Sequence, residues 1–424
     1  MPASSIHRLP NTSREIAEPH TVSLRRLPYP YRAMLAICSD LDETPDRDVY
    51  WETTRFLNTN TTTSMGPGLG LEVGNSIYFD MPSGQFSYWN TDDPGRAMVR
   101  ALIQSGHIDC LHSFGDLATS RRHAARALDE LARHDCQLVV WVDHAVAPTN
   151  LDGDIMRGRG DLPGDEAYHA DLTSTFGVRY VWRGRVTSVV GQDVRRSLRA
   201  IVQLRHPLAS LRTVLKEHAK GLLASCGSTK YAMHGPNRLL RETRLRDGHP
   251  IWEFIRANPH WGGVSRGDTA AGLAEVLTDA MLRRLVQREA VAILYTHLGK
   301  VEQRDKPLGR PTREALRRLA RWQRDGRILV TTTRRVLDYG RLTRNLKVST
   351  VEASDDLRVH VTTHNGISDP ARELAGLTLY VPYRDRIRLN VDGRDVPGLE
   401  HNGPDGTGRP SVSIPWLPLE FPRL

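Results

Sequence analysis

The chain reads as an α/β protein: a closed or nearly closed β/α barrel over residues 31–345, then an all-β, sandwich-like domain over 346–424, with an N-terminal extension over 1–30. Three observations predict this. Between Tyr31 and Arg344 short apolar runs alternate with amphipathic helical stretches, the pattern of a sheet buried on both faces. After Asn345 the period changes to two (Leu357, Val359, Val361; Leu377, Leu379, Val381; Ile387, Leu389, Val391), with Asp392-Gly393 as a turn. Charge divides at the same place, with 49 Lys plus Arg against 38 Asp plus Glu up to residue 345 and 9 against 11 beyond it.

The strands expected in the barrel are Ala33–Ser39, Leu71–Phe79, Ile108–His112, Leu138–Asp143, Val178–Trp182, Ile251–Ile255, Val291–Thr296 and Ile328–Thr331. Helices are expected over Ser120–His134, where Ala124, Leu128 and Leu131 recur at helical spacing, and over Thr269–Arg288, with Ala274, Leu277, Met281 and Leu285. Asn150–Asp165, rich in Gly and Asp, reads as a long loop, and Leu239–Ile255 as a hairpin around Asp247-Gly248.

Composition narrows the function. At 424 residues and 39% apolar the chain can bury a sizeable core. No run approaches the about 18 apolar residues of a membrane span, and the opening MPASSIHRLPNTSREIAEPH lacks the apolar centre of a signal peptide, so a cytoplasmic protein is expected. Cys38, Cys110, Cys136 and Cys226 stand singly, which predicts buried thiols rather than disulfides or a thiolate zinc site. The net charge of +9 rests on 52 Arg and 6 Lys. Coding bias alone can produce that skew, so no nucleic-acid partner is expected without a recognisable binding module.

Three strand ends carry the chemistry, since reactive groups of parallel barrels sit at the carboxyl ends of strands. Asp40 and Asp42 follow the apolar run of Ala33–Ser39, two apart, so extended backbone points both to one side. By themselves they also read as a helix N-cap with a charged first turn. His112 and Asp116 stand four apart after Ile108–His112, near enough to share a metal ion. His297 closes Val291–Thr296, where a lone His is more often a hydrogen-bonded core residue.

Together these resemble the motifs of the polysaccharide deacetylase family, the NodB-homology carbohydrate esterases, as met for example in lipopolysaccharide O-antigen loci. Asp40 and Asp42 resemble the family's paired base and metal-ligand aspartates, His112-Ser113-Phe114-Gly115-Asp116 its His-Ser/Thr-x-x-His/Asp motif, and Leu294-Tyr295-Thr296-His297 its Leu-x-x-His motif. Two motifs are missing. Trp141-Val142-Asp143-His144-Ala145 stands where Arg-x-Pro-Tyr would follow the fourth strand, and Asp-x-x-Asp-Trp has no counterpart. Asp143, His144, His234 and Asn237 are the replacement candidates, with Asp143 and His144 taken as substrate-binding.

The resemblance implies an irregular seven-stranded β/α barrel and one divalent metal, zinc before manganese, cobalt or nickel, held by Asp42, His112 and Asp116. It further implies Asp40 as the base, His297 as the acid and Leu294 in the acyl pocket. The expected substrate is an N-acetylated amino sugar, nucleotide- or lipid-linked, of a surface-polysaccharide pathway. Two other classes remain beside it: a non-catalytic glycan-binding barrel, and nucleic-acid binding through arginines. For Arg310–Arg327 a solvated helix face is the expectation, since Leu316, Leu319 and Ala320 fall inward while Arg317, Arg318, Arg321 and Arg324 fall outward.

Overall fold

In a computed structural model of the chain the described residues are 22–40, 43–145, 147–203, 205–301, 303–353, 356–364, 366–382 and 387–424. They form two compact units: Pro30–Arg344 with Leu417–Leu424, and residues 22–29 with Asn345–Trp416.

The larger unit is an α/β fold on a large, curled, partly open sheet. Its strands, numbered in chain order, are β1 Ala33–Ser39, β2 Asn75–Ile77, β3 Ile108–His112, β4 Val140–Val142, β5 Tyr180–Trp182, β6 Val186–Thr187, β7 Leu240–Arg244, β8 Pro250–Phe254, β9 Arg256–Ala257, β10 Val291–Thr296 and β11 Ile328–Val330. Pairing follows the order β7-β8-β5-β4-β3-β2-β1-β10-β9-β6, with β11 also on β1. Every pair is parallel except the β7–β8 hairpin, which turns through Gly248 at φ 93°. Between β8 and β9 stands one residue, Ile255; β8 pairs with β5 and β9 with β10 and β6.

The central strands are apolar on both sides because both are covered. Ala33, Leu35 and Ile37 of β1 join the core beneath the helices, while Met34, Ala36 and Cys38 are equally buried from the opposite face. The Arg121–Arg133 helix adds Ala124, Ala127, Leu128 and Leu131, and the Arg310–Arg324 helix Ala315, Leu316, Leu319 and Ala320.

Two expected elements come out differently. Only Asn75–Ile77 of Leu71–Phe79 is strand, because the Asn58 amide takes both backbone groups of Val73 (2.7 and 3.3 Å) and removes them from the ladder. The single helix expected over Thr269–Arg288 is two, Ala270–Val276 and Asp279–Gln287. The hydroxyls of Thr269 and Thr278 accept from the amides of Gly272 and Met281 and start each helix anew. Of the cysteines, Cys38, Cys110 and Cys136 are buried thiols, but Cys226 is exposed, just past the end of the Pro207–Ser225 helix.

The smaller unit holds two four-stranded sheets. One contains Lys347–Ala353, Asp356–Thr362, Ile387–Val391 and Arg394–Val396, the last two joined through Asp392 and Gly393, whose φ of 48° and 85° suit a tight hairpin. The other contains Ser23–Arg25, Thr378–Tyr380, Ser411–Ser413 and Glu400–Asn402. Ser23–Arg25 is thus a strand of this unit within the stretch read from sequence as an N-terminal extension, and the buried Arg25 fastens it to Asp405 at 3.0 Å.

Leu417–Leu424 returns to the larger unit. The amide of Leu419 donates to Glu72 at 3.0 Å, Arg335 donates to the Leu417 carbonyl at 2.7 Å, and the Phe421 ring lies 5.0 Å from the rings of Trp51 and His107. Deleting Leu417–Leu424 removes these contacts and one partner of the buried Glu72 carboxylate. The deletion is expected to destabilise the larger unit by about 2–4 kcal/mol in urea unfolding; an unchanged midpoint would show the tail to be dispensable.

Candidate functional site

Asp40 ends β1. Its amide donates to the Thr296 carbonyl of β10 at 2.9 Å, so it continues the sheet by one residue. The next helix, Arg47–Asn58, is capped by Asp46, which accepts from the amides of Asp48 and Val49. Capping is therefore not the role of Asp40. Its carboxylate is fully buried and receives both arms of Arg256, Nη1 to Oδ2 at 2.7 Å and Nη2 to Oδ1 at 3.3 Å, with the Ser76 hydroxyl donating to Oδ1 at 3.2 Å. Arg256 is itself wholly buried, its guanidinium 4.1 Å from the Trp182 ring and 5.0 Å from that of Tyr295. Burial works against its charge, yet the Asp40 carboxylate outweighs this and holds it above its ordinary pKa. Two buried groups of opposite charge thus face each other through a two-oxygen contact.

His112 ends β3. Its Nδ1 lies 3.2 Å from the Ser76 hydroxyl oxygen, whose own hydrogen goes to Asp40, so Nδ1 carries the proton and Nε2 the lone pair. Nε2 stands 3.7 Å from Asp40 Oδ2. The loop after His112 turns sharply through Ser113 (φ 49°) and Gly115 (φ 103°), and a Cβ at Gly115 would meet the Asp80 carbonyl oxygen at 2.3 Å. That turn brings round Asp116, whose Oδ1 pairs with His144 Nδ1 at 2.8 Å. The rings of His144 and His112 are 4.5 Å apart and near-perpendicular.

His297 follows β10. Its backbone amide and Nδ1 both donate to the Asp268 carbonyl, at 2.6 and 2.9 Å. A carbonyl only accepts, so Nε2 is the lone-pair nitrogen of the neutral ring and a donor once protonated. The Tyr295 hydroxyl is 3.5 Å from it. Alternation along β10 sends Tyr295 and His297 into the cleft and Leu294 to the opposite face, where it is buried in the core. The cleft residue contributed by the middle of this strand is therefore Tyr295, not Leu294.

Asp40, His112, Asp143, His144 and His297 line one cleft of about 500 Å³. Asp143 serves chiefly as an anchor there: it accepts from Trp141 Nε1 and from the amides of Leu151 and Asp152, at 2.7 to 2.9 Å, and so pins the start of the long Gly- and Asp-rich loop. Burial raises its pKa to about 7 against those donors.

The far wall comes from the Pro207–Ser225 helix and the turn beyond it, with Lys216, Lys220, Lys230 and His234. This helix is held by the fully buried Glu217, which accepts from Lys220 Nζ at 2.8 Å and from the Thr187 hydroxyl at 3.0 Å, with His234 Nδ1 at 3.5 Å. Burial acts to raise the Glu217 pKa; His234 and Lys220 override it and bring it down to about 2. Asn237 lies outside the cleft lining, its amide donating to the carbonyls of Gly191 and Val194.

Arg256 is a site residue that no motif announces: the family pattern places its arginine after the fourth strand, whereas the guanidinium that clamps Asp40 comes from β9, and its one signal in the sequence is a cation inside the run Ile251–Ala257. Asp42 lies outside the described residues. Among the described residues no group of three His, Cys, Asp or Glu side chains converges on a point. His112 and Asp116 are nitrogen and oxygen donors of the types a borderline divalent ion takes, but Asp116 turns its Oδ1 to His144 and is not among the residues that line the cleft with His112.

Two outcomes test this geometry. Arg256→Met strands a buried carboxylate and is expected to cost about 3–5 kcal/mol in urea unfolding, most of it recovered in the double variant with Asp40→Asn. The lowered pKa of Glu217 means its stabilisation is complete above its ordinary 4.5 and is lost as pH falls toward 2. Glu217→Gln should accordingly destabilise the chain at pH 7, on the order of 2 kcal/mol, and the gap to wild type should narrow on acidification through that window. No protein-family model matches the chain and no curated protein matches it, so the side chains of this cleft carry the functional reading.

Proposed function

We propose that this chain is a metal-dependent carbohydrate deacetylase that removes an N-acetyl or related acyl group from an amino sugar of a bacterial surface-polysaccharide pathway, such as O-antigen assembly. The observation that carries the reading is the meeting, in one cleft, of the polar residues closing three apolar strands, Asp40, His112 and His297, with Asp40 clamped by Arg256. The resemblance noted above supports it at Asp40, His112, Asp116 and His297. An irregular seven-stranded barrel of NodB-homology type is part of the proposal, supported by the stretch Pro250–Ala257, which pairs with β5 by one half and with β10 by the other. A sandwich-like C-terminal domain and a cytoplasmic site of action belong to the same proposal.

His112 and Asp116, with Asp42, would hold one divalent ion, zinc before manganese, cobalt or nickel. When bound, the ion would supply polarisation of the acyl carbonyl and a more acidic water. Asp40, clamped by Arg256, would take a proton from the attacking water as general base. His297, fixed through Nδ1 on the Asp268 carbonyl, presents Nε2 to hand a proton to the departing sugar nitrogen. Tyr295 and Trp182 close the cleft against water around Arg256. The opposed demands, Asp40 ionised and His297 protonated, give a bell-shaped pH dependence.

Metal analysis followed by acetate release from N-acetylated sugars, free and nucleotide- or lipid-linked, is the test. About one ion per chain is expected, with most of it lost in His112→Ala. Asp40→Asn and His297→Ala should retain metal yet lower turnover about a hundredfold or more. Full metal content in His112→Ala, or wild-type turnover in either of the other variants, would remove the assignment.

A further inference from the structure

The Pro207–Ser225 helix is packed the wrong way round for a helix that faces water. The side it lays on the protein holds Ser210 and Glu217, both buried, while Leu208, Leu211, Leu215 and Leu222 are 83%, 58%, 63% and 67% exposed. At 100° per residue these four leucines fall within one narrow stripe, opposite Glu217. Leu223 of the same helix is exposed too, and so is Leu198 in the preceding Leu198–Ala200 turn. Six of the large exposed apolar side chains thus lie between residues 198 and 223, where scattered single ones would need no account.

Charge identifies what covers the stripe. From Arg195 to Lys230 the chain carries Arg195, Arg196, Arg199, Arg205, Arg212, Lys216, Lys220 and Lys230, and one acid, the buried Glu217. Arg212 and Lys216, both exposed, flank the leucines on the helix itself. A second copy of the chain would bring the same cations against these across a two-fold axis. An anionic lipid surface satisfies both features, taking leucines at the acyl boundary and Lys and Arg at the headgroups. No helix among the described residues is long and apolar enough to cross a membrane, and this geometry needs none, since the helix would lie in the plane of the surface.

We propose that the Pro207–Ser225 helix docks the protein on anionic membrane surfaces through Leu208, Leu211, Leu215 and Leu222. Lys216 and Lys220 of the same helix line the cleft, so docking holds the cleft rim beside the headgroups, where a sugar carried on a lipid phosphate is found. The docking itself stands apart from the deacetylase reading.

The test is sedimentation of the full chain with vesicles, which reads no enzymatic activity. Binding is expected to phosphatidylcholine vesicles containing phosphatidylglycerol, to weaken at high salt, and to be slight with phosphatidylcholine alone. Leu211→Asp combined with Leu215→Asp should lower the affinity roughly tenfold or more without shifting thermal unfolding, since both side chains are exposed. The milder Leu211→Ser with Leu215→Ser provides a second variant of the same face. The proposal fails if anionic vesicles do not bind the protein or if the variants bind as wild type does. It fails equally if the chain forms a concentration-dependent dimer that the same substitutions dissolve, which would assign the stripe to a second copy.

Discussion

A buried carboxylate and a buried guanidinium, Asp40 and Arg256, set the terms for the rest of the larger unit. Each is wholly enclosed, and either alone would be costly inside a protein. The charge is tolerable because the fork of Arg256 meets both oxygens of Asp40 and the aromatic faces of Trp182 and Tyr295 replace water around the planar cation. Meeting that geometry requires β1, β5, β9 and β10 to present their ends at one level. The parallel registers that put Cys38 opposite Tyr295, Leu294 beside both Ile37 and Ala257, and Arg256 opposite Val186 do so. A slip of one residue in any of these strands would turn its polar terminus outward.

The cleft has two walls of different character. One is made of strand ends, rigid and tightly hydrogen-bonded, and carries the acid, base and imidazole groups. The other is a helix with the turn beyond it, and carries three of the six lysines in a chain that otherwise uses arginine. Lysine's compact ammonium suits the point contact that Lys220 makes with Glu217 on that wall, whereas arginine's planar fork suits the two-oxygen pairing made with Asp40.

Much of this was legible in the sequence, and what was not had identifiable causes. Ala33–Ser39, Ile108–His112 and Val291–Thr296 stand out because each is an apolar run with a polar residue at its end, and the sheet uses them over those same residues. Asp40, His112 and His297 were found as the groups that follow them. Leu294, matched by a motif letter, is turned by the alternation of its strand into the core, while Tyr295 faces the cleft. Arg256 is hidden in the sequence because its partner lies 216 positions away, and pairing across that distance is a property of the sheet's register rather than of any local pattern. The break at Thr278 was obscured because apolar spacing continues through it; only the capping hydroxyl betrays it. The leucine stripe of Pro207–Ser225 escaped notice because periodicity does not say which side of a helix is covered.

The larger unit is assembled from two separated segments of chain, Pro30–Arg344 and Leu417–Leu424, with nearly all of the smaller unit encoded between them. During synthesis on the ribosome the smaller unit's strands therefore emerge before the segment that supplies Leu419 to Glu72 and Phe421 to Trp51. Until the segment carrying Leu419 and Phe421 has emerged, the surface around Glu72, Trp51 and His107 is an open seam. The order of emergence makes the arrival of Leu417–Leu424, rather than the completion of the sheet, the step that seals this part of the molecule.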